Sequence, residues 1–517
     1  MKYQLLGALT LALILPYFAS AQTSIIQGVA TPGPSSTVQI NRLNRTGPIN
    51  RDPALNGQGI NQGGTEPFST YSPSPTISDI SPSPSIAEYN SDFEHWRRSN
   101  GIGRAIRKLA DDGIVVRGNY IENLAGNPAG GEAKGFVASQ WADVGADFDL
   151  HKLFGWKGAI VHLQGAWFWG RSLGHDYIGN SISFQQTWRP VPGPRLTTFD
   201  IEQNLLGDRL NFMVGRAAVN SFYATSPLNC DFMSNVSCLA LYGPITDIGI
   251  TAFPNSSWAG KARFAFTRHI YGQIGAFEYN NALNTKGRDG LDLGTGSATG
   301  YIFPGEVGYE SSFHGDRYPR RYEAGFYYNS AAAQDPYFDA RGTGAAAAHL
   351  TRASYAGGRI GLYSVVDQTV WRIRPGTEDN LTVFGRVFYN AGNVNTVDTF
   401  VSGGFVLTGP FASRHEDTVG FLVSDTHFSD REIRNLTAVR KLAGGSGSPD
   451  ADEVIGEVNY GYQVVPGVRV IPNLQYVINP DPINAPKSKS NVSDAVVLGL
   501  KIDVHLGELL GGRYTTR

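Results

Sequence analysis

Arginine, histidine, lysine, carboxylate and amide side chains fall on one parity of otherwise apolar stretches: Arg117, His162, Gln164, Asp200, Glu202, Arg263, Glu323, Arg386, Glu457, Asn459, Arg469, Asn473, Gln475, Lys501 and Asp503. Donors and acceptors are both present, and opposite charges are mixed rather than segregated. Such a set suits weak, reversible hydrogen bonding to a neutral polar solute better than capture of an ion. The competing reading is that these groups pair with one another across a wall. Trp141, Trp156, Trp167, Trp169, Trp188 and Trp371 offer flat apolar surfaces for stacking on C–H groups, although most are expected in a membrane-interface girdle. Trp167 and Trp169 share parity with Val161 and Leu163, so they are placed outside. Trp188, in a long loop, is the tryptophan expected near a solute path.

Catalytic constellations fail on inspection. Asp200 and Glu202 alternate onto one face as a glycosidase pair would, but that chemistry needs a particular carboxylate separation that spacing does not supply. His415-Glu416-Asp417 lacks the second histidine of a zinc-protease helix and leads into a strand. The run Gly444-Gly-Ser-Gly-Ser448 does not join a strand to a helix as a phosphate loop does. Cys230 and Cys238, the only cysteines, read as a loop-closing disulfide in an oxidising compartment. Two thiols without a histidine cluster leave a metal's shell incomplete. No enzyme, metal or cofactor is expected; a general diffusion pore without solute preference, a barrel enzyme using Asp200 and Glu202, and an adhesive or structural barrel stand as alternatives to a selective pore.

The elements that position these residues are strands. Val454, Gly456, Val458, Tyr460 and Tyr462 alternate with Ile455, Glu457, Asn459, Gly461 and Gln463, and the pattern repeats over 467–478 and 494–506. Side chains of period two line opposite faces of a sheet. Each run lasts about ten residues, enough for a tilted strand to cross hydrocarbon, and a greasy face opposite a polar one predicts a transmembrane antiparallel β-barrel. Seventeen candidate strands follow: 114–124, 134–149, 157–169, 196–206, 208–216, 246–253, 260–268, 271–280, 302–313, 321–330, 356–372, 380–390, 397–408, 416–427, 453–464, 467–478 and 494–506. An even count is expected, and 246–253, ending at Pro254, is the weakest, which leaves about 16. Long connections (170–195, 217–245, 281–301, 331–355, 428–452) alternate with tight turns.

A chain of 517 residues with 62 glycines, 11% aromatics and only 3 methionines suits strands and turns, and a net charge of −2 marks neither a nucleic-acid binder nor a strongly anion- or cation-steered pore. Residues 1–21 have the form of a signal peptide, with Lys2, an apolar stretch and cleavage expected between Ala21 and Gln22. Residues 22–90 are Pro-, Ser- and Gly-rich and read as disordered. Residues 91–113 read as a short helical segment, with Ser91-Asp92-Phe93-Glu94 as a capping box and then Ile102, Ile106 and Leu109 on one side. The barrel is expected over 114–506, with a C-terminal extension over 507–517.

Several stretches resemble the carbohydrate-selective (OprB-type) porins of Gram-negative outer membranes, over about 104–506. They are Arg104-Ala-Ile-Arg-Lys-Leu-Ala-Asp-Asp-Gly113, Asn127-Pro-Ala-Gly-Gly131, Asp149-Leu-His-Lys-Leu-Phe-Gly-Trp-Lys-Gly-Ala159, Phe400-Val-Ser-Gly-Gly404, and Gly409-Pro410 with Arg414, Asp417 and Gly420. The most specific is Val465-Pro-Gly-Val-Arg-Val-Ile-Pro-Asn-Leu-Gln-Tyr-Val-Ile-Asn-Pro480 with Val497-Leu-Gly-Leu500. The resemblance implies a sixteen-stranded barrel, monomeric or weakly associated, embedded in outer-membrane lipid by the barrel-assembly machinery and passing monosaccharides by diffusion. Two departures are visible: a tryptophan-glycine motif reduced to His95-Trp96-Arg97 and Asn100-Gly101, and a chain that continues past its last strand.

Overall fold

The period-two pattern closes into a cylinder. The computed structural model describes residues 93–511 except 94, 98, 239–251, 286, 288, 314, 346–349, 356 and 393; the expected signal peptide, the segment 22–90 and residues 512–517 lie outside the described residues. The barrel strands are β1 (Ile114–Ala129), β2 (Phe136–Asp149), β3 (Ala159–Gly170), β4 (Gly193–Leu205), β5 (Leu210–Ala217), β6 (Ser257–Ala265), β7 (Ile270–Tyr279), β8 (Gly300–Glu310), β9 (Arg320–Asn329), β12 (Arg359–Arg372), β13 (Asn380–Ala391), β14 (Val397–Thr408), β15 (Thr418–Phe428), β16 (Asp452–Val465), β17 (Val468–Ile478) and β18 (Ala495–His505). Each pairs with the barrel strands before and after it in sequence, β9 with β12 among them, and β1 pairs antiparallel with β18 to close the ring, Ile121 standing opposite Asp503. Sixteen candidate strands of the sequence reading correspond to these sixteen. Of the seventeenth, 246–253, only Ala252 and Phe253 are described, and neither is in a strand.

One face of every strand is apolar and open to the surroundings, as at Leu163, Phe212, Ile274, Val387, Val458 and Leu498. No described helix is long and apolar enough to cross a membrane; the strands do so instead. At one rim the connections are short. Gly467, for instance, takes a positive φ of 80° between β16 and β17, a conformation glycine adopts without a Cβ penalty. At the other rim lie the long loops.

Two loop elements escaped the sequence reading. A two-stranded ribbon, β10 (Ala333–Asp339) and β11 (Arg352–Tyr355), sits in the connection between β9 and β12. A helix (Asp430–Leu442) occupies the connection after β15; Ser429 caps it by accepting from Glu432 N, with Arg440 and Lys441 in its last turn.

The N-terminal helix α1 (Gly101–Asp111) is capped by Asn100, which accepts from Gly103 N. It packs through Gly103 and Ala110, whereas Ile102 and Leu109 stay exposed. Gly103 lies so close to the chain's end that a Cβ there would fall 2.1 Å from Leu510 O. Arg97 Nη1 donates to Glu508 O at 3.1 Å and Arg107 Nη1 to Gly511 O at 2.5 Å. The opening helix, with Arg97 just before it, therefore clasps the short helix α2 (Leu506–Leu509) that follows β18 and the residues directly after α2.

Candidate functional site: the barrel lumen

The inward face of the strands is polar, and it is partly covered by the protein's own loops. The connection 171–192 turns inward. Gln185 Nε2 donates to Asn123 O at 3.0 Å and to Ser139 Oγ at 3.1 Å, and Thr187 Oγ1 to Asn123 Oδ1 at 3.0 Å. Its far end is held by Glu453 and Asp481, which accept from Asn180 Nδ2 and Ser181 N, each at 2.8 Å. Burial pushes the Asp481 carboxyl above its ordinary range, against hydrogen bonds that favour the charged form.

The connection after β5 crosses the lumen. On one side Ala224 N donates to Glu306 Oε2 at 2.9 Å, and Gln273 Nε2 donates to Phe222 O at 2.6 Å. On the other side its tip meets β16 to β18. Met233 N and Ser234 N donate to the two oxygens of Glu457 at 2.8 and 2.7 Å, Asn459 Nδ2 to Asp231 O at 3.0 Å, and Lys501 Nζ to Cys230 O at 2.6 Å. Asn473 and Gln475 point at Met233 Sδ and Phe184 O. Such close approach needs Gly499: a Cβ there would lie 2.3 Å from Met233 Cε. Cys230 is disulfide-bonded, and the side chain of its expected partner Cys238 lies outside the described residues.

All the sequence-predicted lumen residues lie on the inward face, and most are buried. They divide by what they touch. Glu457, Asn459, Arg469, Asn473 and Lys501 hold the crossing segment, and Gln475 holds the connection 171–192 through Phe184 O; Lys501 also pairs with Asp503 at 3.0 Å. Arg117 and His162 both reach Asp147 (2.5 and 2.7 Å); His162 Nε2 also reaches Glu202 Oε2 at 3.3 Å, directly beside Asp200 on β4. Gln164 donates to Asp143 at 2.9 Å. Arg263 pairs with Glu310 at 2.6 Å, and Glu323 accepts from Arg321 and from Tyr271, each at 3.0 Å. Arg386 lies over the Phe384 ring.

Three ion pairs keep 12–20% of their side-chain surface in contact with solvent: Arg117 with Asp147, Arg321 with Glu310, and Arg469 with Asp231. Their strand residues lie near the short-turn rim, at the starts of β1, β9 and β17 and the ends of β2 and β8. The solvent-facing charges named here thus come in compensated pairs.

Asp147, Arg321 and Glu310 were missed by the sequence reading although parity reveals them: Asp147 shares its face with Asp143, and Arg321 with Glu323. Asp231, in a loop, carries no periodic signal. Trp141 corrects the expected girdle. It is fully buried on the inward face, stacked on Phe168 at 5.6 Å and 5.1 Å from Phe253, because it shares parity with the buried Ser139 and Asp143. Trp156, Trp167 and Trp371 are exposed. Trp188 is buried in the inward connection, 5.9 Å from His175.

A closed sixteen-stranded barrel, apolar outside and polar within, whose own loops narrow the lumen, is a transmembrane porin. The chain belongs to the carbohydrate-selective porin, OprB family, whose model matches residues 133–506. It is 26% identical to Porin B of Pseudomonas aeruginosa over 436 residues, covering 80% of this chain and 92% of that one. It is 24% identical to the putative porin QuiX of Acinetobacter baylyi over 417 residues, covering 77% and 90%. A solved high-pH structure of Pseudomonas putida OprB superposes with a TM-score of 0.72 at 27% identity, covering 79% of this chain and 98% of that one. The protein is a sugar-preferring porin of the Gram-negative outer membrane.

Proposed function

We propose that the pore passes neutral, monosaccharide-sized polyols by diffusion down their gradient, with the inward-facing residues named above as its lining. The observation that carries this reading is charge compensation where solvent reaches the lumen. Each accessible arginine of the three pairs faces a carboxylate, so neither anion nor cation meets a net field. A hydroxyl-rich solute still finds both donors and acceptors. Arg117, Asp147, Arg321, Glu310, Arg469 and Asp231 form the polar track, and the crossing segment sets its width. The pore lies within one chain, so a monomer or a weak homo-oligomer suffices; membrane lipid covers the apolar exterior, and the barrel-assembly machinery inserts it. The family points to a channel rather than an enzyme, and the ion-paired placement of His162 and Glu202 supports a lining role.

Liposome swelling on the refolded full chain tests this reading. Glucose is expected to enter faster than a disaccharide and faster than an amino acid of similar size. Equal entry of glucose and the amino acid would replace the reading with a general diffusion pore, and no swelling with any solute would refute a channel.

A further inference from the structure

Arg386 on β13 is fully buried, yet none of its three guanidinium nitrogens has a hydrogen-bond partner, and it has no ion pair among the described residues. No other described arginine has all three nitrogens buried and unpartnered. Burying a charged fork of donors in that state is costly, so such a group marks a place where something else supplies acceptors. Its surroundings are unsatisfied too. Ser402, directly opposite on β14, has a partnerless Oγ, and Glu323 Oε2 is likewise unpaired. Both Asp367 oxygens lie outside hydrogen-bond geometry, although Ser226 of the crossing segment interacts with that carboxyl.

Register places these groups together. Val365 on β12 stands opposite both Glu323 and Arg386, so the two flank it at one level of the wall, with Ser402 next in the row. Adjacent strands are about 4.8 Å apart, so the arginine and Glu323 lie roughly two strand spacings apart, with Asp367 two residues along β12. The crossing segment closes the slot: Phe232 lies 5.6 Å from Phe384, over whose ring Arg386 sits.

We propose that this slot between β9, β12, β13 and β14 and the crossing segment is a polyol subsite, with Arg386 its principal binding residue. The proposal rests on the sugar-channel reading and names where one solute is held in transit. Vicinal hydroxyl oxygens match the arginine fork two at a time. Hydroxyl hydrogens are donated to Glu323 Oε2 and Asp367, and Ser402 Oγ serves either role. A phosphate would satisfy the arginine but face two carboxylates; a neutral polyol satisfies both signs. Occupancy requires the stretch around Ser226 and Phe232 to give way.

The test uses the full chain in planar bilayers, with potassium chloride as the current carrier and glucose titrated as a blocker, beside glucose-driven liposome swelling. Arg386→Met is expected to raise the half-blocking glucose concentration by about tenfold or more, from the charge-assisted hydrogen bonds lost. Arg386→Lys, which keeps the charge and loses the fork, is expected between Arg386→Met and wild type. Ser402→Ala gives a smaller shift and serves if Arg386→Met fails to insert. Half-blocking concentrations unchanged in these variants, with glucose flux intact, would overturn the subsite and leave the channel reading standing. Absence of both glucose flux and glucose block in wild type would sink the channel reading and the subsite with it.

Discussion

Glu457 is the firmest attachment of the crossing segment to the far wall, and removing it has a consequence that can be worked out. Its two oxygens accept from Met233 N and Ser234 N at 2.8 and 2.7 Å, and the side chain is buried. Each is a charge-assisted bond, contributing about 1.5–3 kcal/mol. In Glu457→Gln one oxygen remains, and an NH2 group opposes the other backbone donor. About one bond's worth is lost, a shift of roughly 10- to 150-fold toward the undocked segment. Glu457→Ala loses both bonds and strands two buried N–H groups. Asn459, Lys501 and Arg469 still hold the neighbouring residues Asp231 and Cys230, so the tip is expected to move locally while the segment stays in the lumen. Swelling rates over a series from monosaccharide to tetrasaccharide report the width, and single-channel recordings report the motion. Glu457→Ala should admit larger sugars and show a noisier open current, with Glu457→Gln intermediate. A wild-type size limit together with a quiet current in Glu457→Ala would refute the claim that this contact sets the pore's width.

Arg469→Ala removes the positive member of a solvent-touching pair and leaves Asp231; the reversal potential in a salt gradient should move toward cation selectivity, with glucose entry changed by less than about threefold, since ordinary hydrogen bonds are worth about 1 kcal/mol. At the short-turn rim, Asp417 accepts from Arg414 Nη2 at 2.8 Å, from Gln463 N at 2.9 Å, and from Tyr460 Oη. Burial alone would raise its pKa, but these bonds and the Arg414 charge hold the carboxyl below its ordinary range. A depressed carboxylate stabilises the fold above its unfolded pKa of about 3.9 and loses that contribution as pH falls through the lower folded value. The barrel's melting temperature on heated gels should therefore drop below about pH 4, whereas Asp417→Asn should melt lower at pH 7 and respond less to acid.

Much of this was legible because a β-barrel writes its two environments directly into alternate residues. Val458 and Leu498 face outward and Glu457 and Lys501 inward, as period two dictates. The same rule applied to β2 would have placed Trp141 inside with Ser139 and Asp143; its residue type pointed to the girdle and parity overrode it. The motif Gly409-Pro410 with Arg414 and Asp417 gains a physical meaning, since Arg374 ties Gly409 O to Asp379 while Asp417 binds Arg414. What the sequence hid were contacts between segments far apart in the chain. Nothing in residues 228–237 announces that Asp231 would meet Arg469, or that Gly499 clears room for Met233. The helix Asp430–Leu442 was concealed differently: its Ser429-x-x-Glu432 signal stood in plain view within the long connection 428–452.

The clasp between α1 and the end of the chain bears on how the ring is completed. Arg97 and Arg107 reach carbonyls 411 and 404 residues later, and β1 waits for β18 across nearly the same distance. Every other barrel seam joins strands that follow one another along the sheet. Contacts of such long separation form late, because the intervening chain must be ordered first. Until residues 495–511 arrive, the molecule is an open ribbon with two bare edges, and bare edges recruit other strands. Because the joint ties residues just before β1 to residues just after β18, loss of residues 495–511 would leave the other fifteen strands folded around a gap, and it would be read as failed closure rather than as a shorter protein.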